Sequence, residues 1–265
     1  MANVITSNIE RRVLGDRFIS ATPSHPLNQI PTAALDPIGS FSGYQYDADG
    51  FVTYAGPSTG ETAAGGWLIG ETGTSVVGIE ADSDGGVLKI ASGGVDDNCT
   101  VLQRVGDVWK YVVGKRLWCF ARFNLSDANL GEAVFGLFPT TAAASMDTIA
   151  ELIALDDGIF FEKAVAATEF DFHVRKNDVS TEATLVSSTF ADGTYRVLGF
   201  VVDVAGNVKA YDGTSLDNLT EVASVTAGAS SLPDDESLAL TFGIQAGEAA
   251  AKDITVDWYF VCQER

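Results

Sequence analysis

From Phe51 onward, short apolar runs alternate with turn-forming residues, and this alternation covers most of the chain. The runs are rich in Val, Thr, Phe, Tyr and Trp, which favour strands over helices. Their close spacing is typical of antiparallel sheets and not of strands that alternate with long helices. We therefore predict an all-β antiparallel sandwich, with strands near 67–69, 75–80, 87–91, 99–104, 116–123, 133–138, 158–163, 170–175, 184–187, 195–203, 208–213, 237–245 and 253–265.

The last of these runs, residues 253–265, reads as a strand that carries core side chains. We expect it to return to the middle of a sheet and so to close the sandwich. The run 195–203 is nearly continuously apolar, which indicates a strand covered on both faces. The Gly206-Asn207 pair that follows predicts a hairpin with 208–213.

Two segments depart from this β pattern. Residues 146–155 predict a helical turn with Asp147 as its N-cap. Residues 1–45 predict an extended arm ahead of the sandwich domain at 46–265, because prolines block both helix and ladder pairing. The apolar arm residues are suited to lie on a surface, either of their own domain or of a neighbour. The residues expected to bind a partner are Pro23, Pro26, Ile30, Pro31, Leu35 and Pro37.

The composition adds a strong negative charge to this picture. The chain has 265 residues and a formal net charge of −20, and residues 18–88 contain no Lys or Arg. Nucleic acids and anionic lipids are bound through clustered cations, so we expect neither as a partner. Such a surface suits solubility, cation binding or docking on a basic partner.

The cysteines and the lengths of the apolar runs indicate in which cellular compartment we expect the protein. Cys99, Cys119 and Cys262 lie in apolar, strand-like runs without metal-ligand spacing, which predicts buried free thiols. This is consistent with synthesis in a reducing cytoplasm. No signal-peptide core opens the chain and no apolar run is long enough to cross a bilayer, so we expect neither a signal peptide nor a membrane span.

The sharpest candidate for catalysis is the run Glu169-Phe-Asp171-Phe-His173. On a strand, Glu169, Asp171 and His173 share one face, and the two phenylalanines share the other. Retaining glycosidases of the laminarinase type carry a similar Glu-x-Asp-x-Glu run, but His173 stands where they have the acid/base glutamate. Because that chemistry needs two paired carboxyl groups, we expect no enzyme. A divergent glycosidase that uses Glu169 and Asp171 is the alternative.

Two Asp-x-Asp-Gly segments begin like calcium loops, one with Asp47 and Asp49 and the other with Asp82 and Asp84. Neither has the later bidentate glutamate of such a loop. The same sequence also makes a good turn, because Asp caps the backbone and Gly takes a positive φ. We expect turns and no cofactor, with Ca²⁺ as the alternative.

Tryptophans are the remaining candidates for ligand contact, since Trp67, Trp109, Trp118 and Trp258 could form a platform on which sugars stack. Large aromatic residues in strands more often belong to the core. We single out Trp109 as the exposed, glycan-stacking candidate, because Asp107 and Lys110 flank it.

Several runs, taken in order, resemble the concanavalin A-like jelly-roll proteins encoded among the virion genes of tailed bacteriophages. The resemblance is one of pattern, covers roughly residues 65–265, and is carried by 114–123, 135–138, 157–161, 193–200, 208–213 and 254–259. It implies a jelly-roll fold and a virion structural role.

The most specific role that this resemblance implies is a capsid decoration or cement protein. The arm would bind the major capsid protein or another virion protein, and the oligomer would be a homotrimer. The protein would be made in the cytoplasm of the bacterial host and end in the virion. The alternative is a carbohydrate-binding, lectin-like module of a tail or head fibre, because some relatives of the wider fold bind glycans.

Overall fold

A computed structural model describes residues 44–49, 51, 54–59, 63–80, 86–106, 109–140, 146–184, 189–226 and 232–264. These residues form two antiparallel sheets that enclose a common apolar core, which confirms the predicted β-sandwich. No helix in these ranges has the length and apolarity needed to cross a membrane.

The first sheet, called sheet 1, contains eight strands. They are β1 (Tyr44–Asp49), β4 (Val76–Ile79), β5 (Leu88–Ala91), β7 (Leu117–Leu125), β12 (Arg196–Val202), β13 (Val208–Gly213), β14 (Thr220–Val225) and β16 (Asp253–Glu264). Their order across the sheet is β14-β13-β12-β7-β16-β5-β4, and β1 pairs with the second half of β16.

Sheet 2 also has eight strands. They are β2 (Ala63–Ala64), β3 (Trp67–Thr72), β6 (Cys99–Arg104), β8 (Gly131–Pro139), β9 (Gly158–Lys163), β10 (Asp171–Lys176), β11 (Val179–Thr184) and β15 (Leu238–Ala246). Their order across the sheet is β11-β10-β9-β8-β15-β6-β3-β2.

Alternate residues of each strand supply the core between the sheets. On β7, for example, Cys119, Ala121 and Phe123 belong to the central cluster, whereas Trp118 and Phe120 belong to a separate cluster on the outer face. Burying each large apolar side chain contributes about 1.5–3 kcal/mol, so this alternation fixes which face of each strand turns inward. Among the described residues, the core also includes Phe135, the aromatic neighbour of Phe123 and Phe242.

The final strand lies where the sequence pattern places it. β16 runs between β7 and β5 in the middle of sheet 1, which confirms the expectation that it closes the sandwich. Its register on β7 shifts between Val256 and Trp258, which marks a β-bulge at Asp257. The predicted hairpin is also present, since β12 and β13 pair in antiparallel fashion.

The boundary predicted for the arm differs by two residues from the start of the sheet. Tyr44 and Gln45 were assigned to the arm, but they open β1 and pair with Glu264 and Gln263. The rest of the arm lies outside the described residues. This applies to all the partner-binding candidates: Pro23, Pro26, Ile30, Pro31, Leu35 and Pro37.

The predicted helical turn exists, but its N-cap is not Asp147. The helix, α1 (Ile149–Ile153), is capped by Thr148, whose Oγ1 accepts a hydrogen bond from the backbone N–H of Glu151 at 3.1 Å. The Glu151 carboxylate in turn accepts from the backbone N–H of Thr148 at 3.2 Å, which completes a capping box. Thr148 is the N-cap and not Asp147, because a capping box needs a hydroxyl residue three positions before a glutamate and Glu151 is the glutamate here.

Two strands in the second half were missed or displaced. The strand predicted at 184–187 is β11, which lies at 179–184, and residues 185–188 are outside the described range. β14 was not predicted, because it is a polar edge strand with little apolar signal. The three cysteines are buried and free of disulfides, as predicted.

Candidate functional site

The outer face of sheet 1 carries a continuous grid of large side chains. Trp118 and Phe120 of β7 stand opposite Cys262 and Phe260 of β16, and Arg122 stands opposite Trp258. On the other side of β7, β12 presents Gly199 beneath Phe120, so close that an added Cβ would lie 2.0 Å from the ring. The residues that form this cluster, here called the outer-face cluster, are Trp118, Phe120, Val197, Val201, Tyr211, Leu216, Trp258, Phe260 and Cys262.

A cleft of about 250 Å³ opens at one end of this face. It lies where Arg122 of β7 and Trp258 of β16 pair in register, against the loop that follows β13. The described residues that line it are Arg122, Thr214, Ser215, Leu216, Asp217, Asp257 and Trp258.

The cationic group of the cleft is the Arg122 guanidinium, which a carboxylate and an aromatic ring hold in place. The Arg122 Nη1 atom donates to Asp257 Oδ2 at 2.5 Å, and its guanidinium carbon lies 4.4 Å from the centre of the Tyr195 ring. The bulge in β16 falls at Asp257, immediately before the residue paired with Arg122. A planar guanidinium fixed by a carboxylate and an aromatic ring is pre-organised to donate hydrogen bonds.

Tyr195 is itself in a low-dielectric position. Burial raises the pKa of the Tyr195 hydroxyl, and the carboxylates of Asp257 and Glu80 raise this pKa further. The hydroxyl also forms a side-chain hydrogen bond with Asn124. Tyr195 therefore keeps its proton and acts as a neutral support for Arg122.

The loop after β13 forms the opposite wall of the cleft, and Asn218 fastens it. The Asn218 Oδ1 atom accepts from the backbone N–H groups of Thr214 at 3.1 Å and Ser215 at 2.9 Å. Its Nδ2 donates to Thr214 Oγ1 at 2.6 Å. Leu216 anchors the loop in the outer-face cluster, while Thr214, Ser215 and Asp217 stay exposed. The loop thus presents two hydroxyls and a carboxylate on a fixed backbone.

These groups suit the binding of a polyhydroxylated ligand. The cleft contains a fixed donor fork, two carboxylate acceptors and two hydroxyls beside apolar Leu216 and Trp258. Hydroxyl-rich molecules offer donors and acceptors together, so they match a mixed set of this kind.

Trp109 is not the exposed residue that its charged neighbours suggested. Its side chain is 1% exposed, and its backbone bridges to Leu238. Trp67 and Trp118 are buried as well, and Trp258, which is 6% exposed, lines the cleft. The prediction of Trp109 as a stacking platform is therefore wrong, because a bridge to β15 draws this loop residue into the core.

The Glu169–His173 run has the alternating faces that were predicted for it. Phe170 and Phe172 lie in the core, whereas Asp171 is exposed on the outer side of sheet 2. His173 is nearly buried, with its Nε2 atom 3.2 Å from Glu162 Oε2 and its ring stacked on Phe160 at 4.9 Å. Glu169 precedes β10 and is exposed.

Of the calcium candidates, Asp47 is engaged elsewhere. Its two carboxylate oxygens accept from the Arg104 guanidinium at 2.8 and 3.2 Å, and Oδ1 also accepts from the Tyr259 hydroxyl at 3.1 Å. Asp47 and Asp49 lie in strand β1, so this segment is a strand and not the expected turn, while the Ca²⁺ alternative stays a prediction. Asp49 ends β1, and Asp82 and Asp84 lie outside the described residues. Within the ranges described, no three His, Cys, Asp or Glu side chains are grouped to hold a metal.

Apart from Trp258, which was one of the four tryptophans considered for stacking, the residues of the cleft were missed by sequence reasoning. Arg122 and Asp257 lie 135 positions apart, and each sits in a run predicted only as strand. The available signal was the interruption of the apolar pattern by Arg122 and Asp257, each within an otherwise apolar run. That signal shows no partner until the register between β7 and β16 is known.

No protein-family model matches the chain, and no curated protein matches it in sequence. Similar solved structures include a protein of unknown function from Shewanella oneidensis MR-1, with a TM-score of 0.56 and 14% identity over 84% of this chain and 87% of that one. Peanut lectin bound to a nine-residue peptide is also similar, with a TM-score of 0.57 and 10% identity over 83% of this chain and 97% of the lectin.

Lectin UEA-II in complex with galactose is a further similar structure, with a TM-score of 0.54 and 14% identity over 82% of this chain and 98% of the lectin. Likeness at this level of identity shows the fold. The chain therefore has the concanavalin-like sandwich of lectins, which confirms the fold part of the resemblance. The virion part of that resemblance stays a prediction.

Proposed function

We propose that this chain is a carbohydrate-binding β-sandwich and that the cleft beside Arg122 is its ligand site. The observation that carries the proposal is the lining of the cleft, in which a fixed guanidinium, two carboxylates and two hydroxyls surround one opening beside Leu216 and Trp258. The fold adds support, because two of the similar structures are lectins and one was solved with galactose.

The size of the cleft bears on the length of the ligand. Its volume of about 250 Å³ lies slightly below the roughly 300–1,000 Å³ that is usual for ligand pockets. We propose that it accommodates one or two sugar units at the end of a glycan, with the rest of the glycan in solvent.

The charge of the cleft bears on the type of sugar. Asp217 and Asp257 together outweigh Arg122, and the whole chain has a net charge of −20. An anionic sugar would meet like charge here, which disfavours binding. The proposed ligand is therefore a neutral glycan and not a sialylated or uronic-acid glycan.

A glycan array probed with the full-length chain tests this function. We expect retention of a set of neutral glycans, followed by titration calorimetry with the best one. Asp217→Asn removes the charge and one acceptor oxygen of a carboxylate in the cleft, and Ser215→Ala removes a hydroxyl, each at a cost of about 1–3 kcal/mol if that group contacts the ligand. The dissociation constant should then rise roughly 5- to 150-fold.

The matched control is Asp171→Asn, because Asp171 is an exposed carboxylate on the other sheet. It should leave the affinity unchanged. An array on which no glycan is retained would refute the proposal, and so would equal losses of affinity in Asp217→Asn and Asp171→Asn.

The proposed activity is binding without turnover. The cleft pairs its carboxylate Asp257 with Arg122, and His173 on the other sheet pairs with Glu162. Incubating the pure protein with β-glucans should therefore release no reducing ends. Release that is abolished by Glu169→Gln would instead support the divergent glycosidase.

The second candidate is a structural role in the particle of a tailed phage, with the chain as a head decoration or cement protein. It rests on the sequence resemblance alone, whose runs at 114–123 and 254–259 overlap the central strands β7 and β16. Such a protein stabilises a shell by binding only its assembled form. Negative-stain images of phage heads with and without the protein test this role. Unchanged occupancy after deletion of residues 1–40 would refute the part assigned to the arm.

A further inference from the structure

Asn218 closes the loop after β13 through both ends of its side-chain amide. Its Oδ1 atom accepts from the backbone N–H groups of Thr214 at 3.1 Å and Ser215 at 2.9 Å. An atom that faces two N–H donors has to be the oxygen of the amide, so these bonds decide which end is oxygen and which is nitrogen. The Nδ2 atom then lies 2.6 Å from Thr214 Oγ1.

The glycine at position 213 makes this close contact possible. A Cβ atom on Gly213 would lie 2.9 Å from Asn218 Oδ1 and 2.8 Å from the Asn218 backbone oxygen. Both separations are too short for a carbon and an oxygen, so any other residue at this position would push the amide away from Thr214 and Ser215. Gly213 therefore lets the Asn218 amide stay in this one position.

The amide decides the hydrogen-bonding character of the Thr214 hydroxyl. Asn218 Nδ2 carries hydrogens and no lone pair, so Thr214 Oγ1 accepts from it and cannot donate to it. The hydroxyl hydrogen of Thr214 is left for another partner, and Thr214 is exposed in the lining of the cleft. Thr214 therefore offers a ligand a hydrogen-bond donor.

The same amide gives Ser215 the opposite character. Asn218 Oδ1 lies 3.3 Å from Ser215 Oγ, and because this oxygen can only accept, the Ser215 hydroxyl donates to it. The lone pairs of Ser215 Oγ are left for the cleft, which Ser215 also lines. Ser215 therefore offers a ligand an acceptor, next to the donor of Thr214.

Two further residues of the cleft extend this division into donors and acceptors. Arg122 contributes the N–H groups of its guanidinium from the opposite wall. Asp217 contributes carboxylate oxygens from the same loop as the two hydroxyls. A ligand thus meets donors from Thr214 and Arg122. It meets acceptors from Ser215 and Asp217.

We propose that Asn218 is a positioning residue that determines which sugars the cleft accepts, acting through Thr214 and Ser215. The selected ligand is a neutral sugar that places an acceptor oxygen at Thr214 and a free hydroxyl at Ser215. A sugar whose hydroxyl at Ser215 is methylated or replaced by hydrogen is rejected, because it cannot donate there. This inference rests on the proposed glycan-binding function.

Asn218→Asp tests the proposal in the full-length chain, with the best neutral glycan from the array as ligand. The carboxylate still accepts from the backbone N–H groups of Thr214 and Ser215, but it has no hydrogen to give to Thr214 Oγ1. The Thr214 hydroxyl then turns its hydrogen toward position 218 and presents lone pairs to the ligand. We expect the dissociation constant from titration calorimetry to rise about 5- to 20-fold.

Thr214→Val separates the reorientation of the hydroxyl from the effect of the added charge. In the Thr214→Val background there is no hydroxyl to reorient, so Asn218→Asp should change the dissociation constant by less than about twofold. Thr214→Ser keeps the hydroxyl and should bind like the wild type. Asn218→Asp should have its full effect again in the Thr214→Ser background.

Monodeoxy derivatives of the same glycan test the ligand side of the proposal. The derivative that lacks the hydroxyl at Ser215 should bind the wild type about 5- to 20-fold more weakly than the parent glycan does. Ser215→Ala should bind the derivative and the parent with equal affinity, because the acceptor for that hydroxyl is gone. A wild-type protein that binds every monodeoxy derivative as well as the parent would overturn the proposed selection.

The outcomes also separate this proposal from the function on which it rests. An array that retains no glycan refutes the function, and this inference with it. A retained glycan whose affinity is unchanged by Asn218→Asp overturns the inference alone. An equal loss of affinity in the wild-type and Thr214→Val backgrounds also overturns it, because that loss is then due to the added charge.

Discussion

Arg122 on β7 and Asp257 on β16 are 135 residues apart in the chain, and their side chains form an ion pair with 2.5 Å between Nη1 and Oδ2. The pair joins the two central strands of sheet 1 on the side that carries the cleft. Its side chains are 33% and 16% exposed, so it is screened less than a fully solvated pair.

A double-mutant cycle should therefore detect coupling between these side chains. With Arg122→Gln, Asp257→Asn and the double variant, we expect a coupling energy of about 1 kcal/mol in urea unfolding. The control cycle uses Lys209 and Glu221, whose side chains are 42% and 41% exposed, and should give less than about 0.5 kcal/mol. Equal coupling in the two cycles would show that the Arg122 pair is no more than a surface contact.

Replacing Trp109 should affect stability and not ligand binding. Its indole is buried, so Trp109→Ala leaves a cavity and should lower the free energy of unfolding by about 3–5 kcal/mol. Retention of glycan per folded molecule should stay unchanged, because Trp109 does not line the cleft. Trp109→Phe, which keeps most of the volume, is the control and should cost less. A stable Trp109→Ala protein that loses glycan retention would restore Trp109 as a ligand contact.

Because of Lys163, we expect the free energy of unfolding to change with pH in the alkaline range. Its Nζ atom is buried and donates to the backbone oxygens of Gly131 at 2.5 Å and Ala164 at 3.1 Å, and burial lowers its pKa from 10.5 to about 8. Between pH 8 and 10.5 the unfolded chain therefore binds a proton that the folded chain does not, and this group makes stability rise with pH.

Lys163→Met removes this titration. As the pH rises from 8 to 10.5, the free energy of unfolding of the wild type should increase by up to about 3 kcal/mol relative to that of Lys163→Met. Urea unfolding at several pH values measures the shift. Lys209→Met, at an exposed lysine, should show none. Parallel pH profiles for wild type and Lys163→Met would be inconsistent with the lowered pKa.

Because of Asp127, we expect the free energy of unfolding to change with pH in the acid range. Its carboxylate accepts from the backbone N–H of Leu130 at 2.8 Å and pairs with Lys252 Nζ at 2.7 Å, and these contacts lower its pKa from 3.8 to about 2. The stabilisation is complete above the unfolded-state pKa and is lost as the pH falls through the folded-state value. Asp127→Asn should therefore cost about 2 kcal/mol at neutral pH and nothing below about pH 2.

Acid unfolding followed by circular dichroism measures this difference. The control Asp171→Asn changes an exposed carboxylate on sheet 2 and should leave the acid midpoint in place. An unaltered acid midpoint in Asp127→Asn would show that the carboxylate does not stabilise the folded state.

Much of the sandwich was predictable, because the pattern of apolar residues within a strand indicates which face of that strand is buried. The runs at 116–123 and 253–265 are apolar enough to be recognised alone, and both became central strands. The edge strand β14 was not recognised, because its exposed positions carry polar residues and only Val225 is fully buried. Local propensity also placed the N-cap one residue early, since Asp147 and Thr148 are both good caps and the glutamate at 151 decides between them.

The candidate site was hardly predictable, because it depends on register and not on any local run. Trp109 looked exposed from its charged neighbours, yet a bridge to Leu238 buries it. Trp258 looked like ordinary core, yet it borders the cleft because a bulge precedes it. In both cases a contact more than a hundred positions away along the chain decides the outcome.

The central place of β16 has a consequence for the order in which the molecule assembles. Within the described residues, the strands of sheet 1 before residue 92 reach those between 117 and 225 through β16 alone. These two groups of strands cannot join into one sheet until residues 253–264 pair between them. The pairing that unites sheet 1 therefore connects residues that are far apart in the chain. Loops that long close slowly, and folding should take milliseconds to seconds, as in other β proteins dominated by distant contacts.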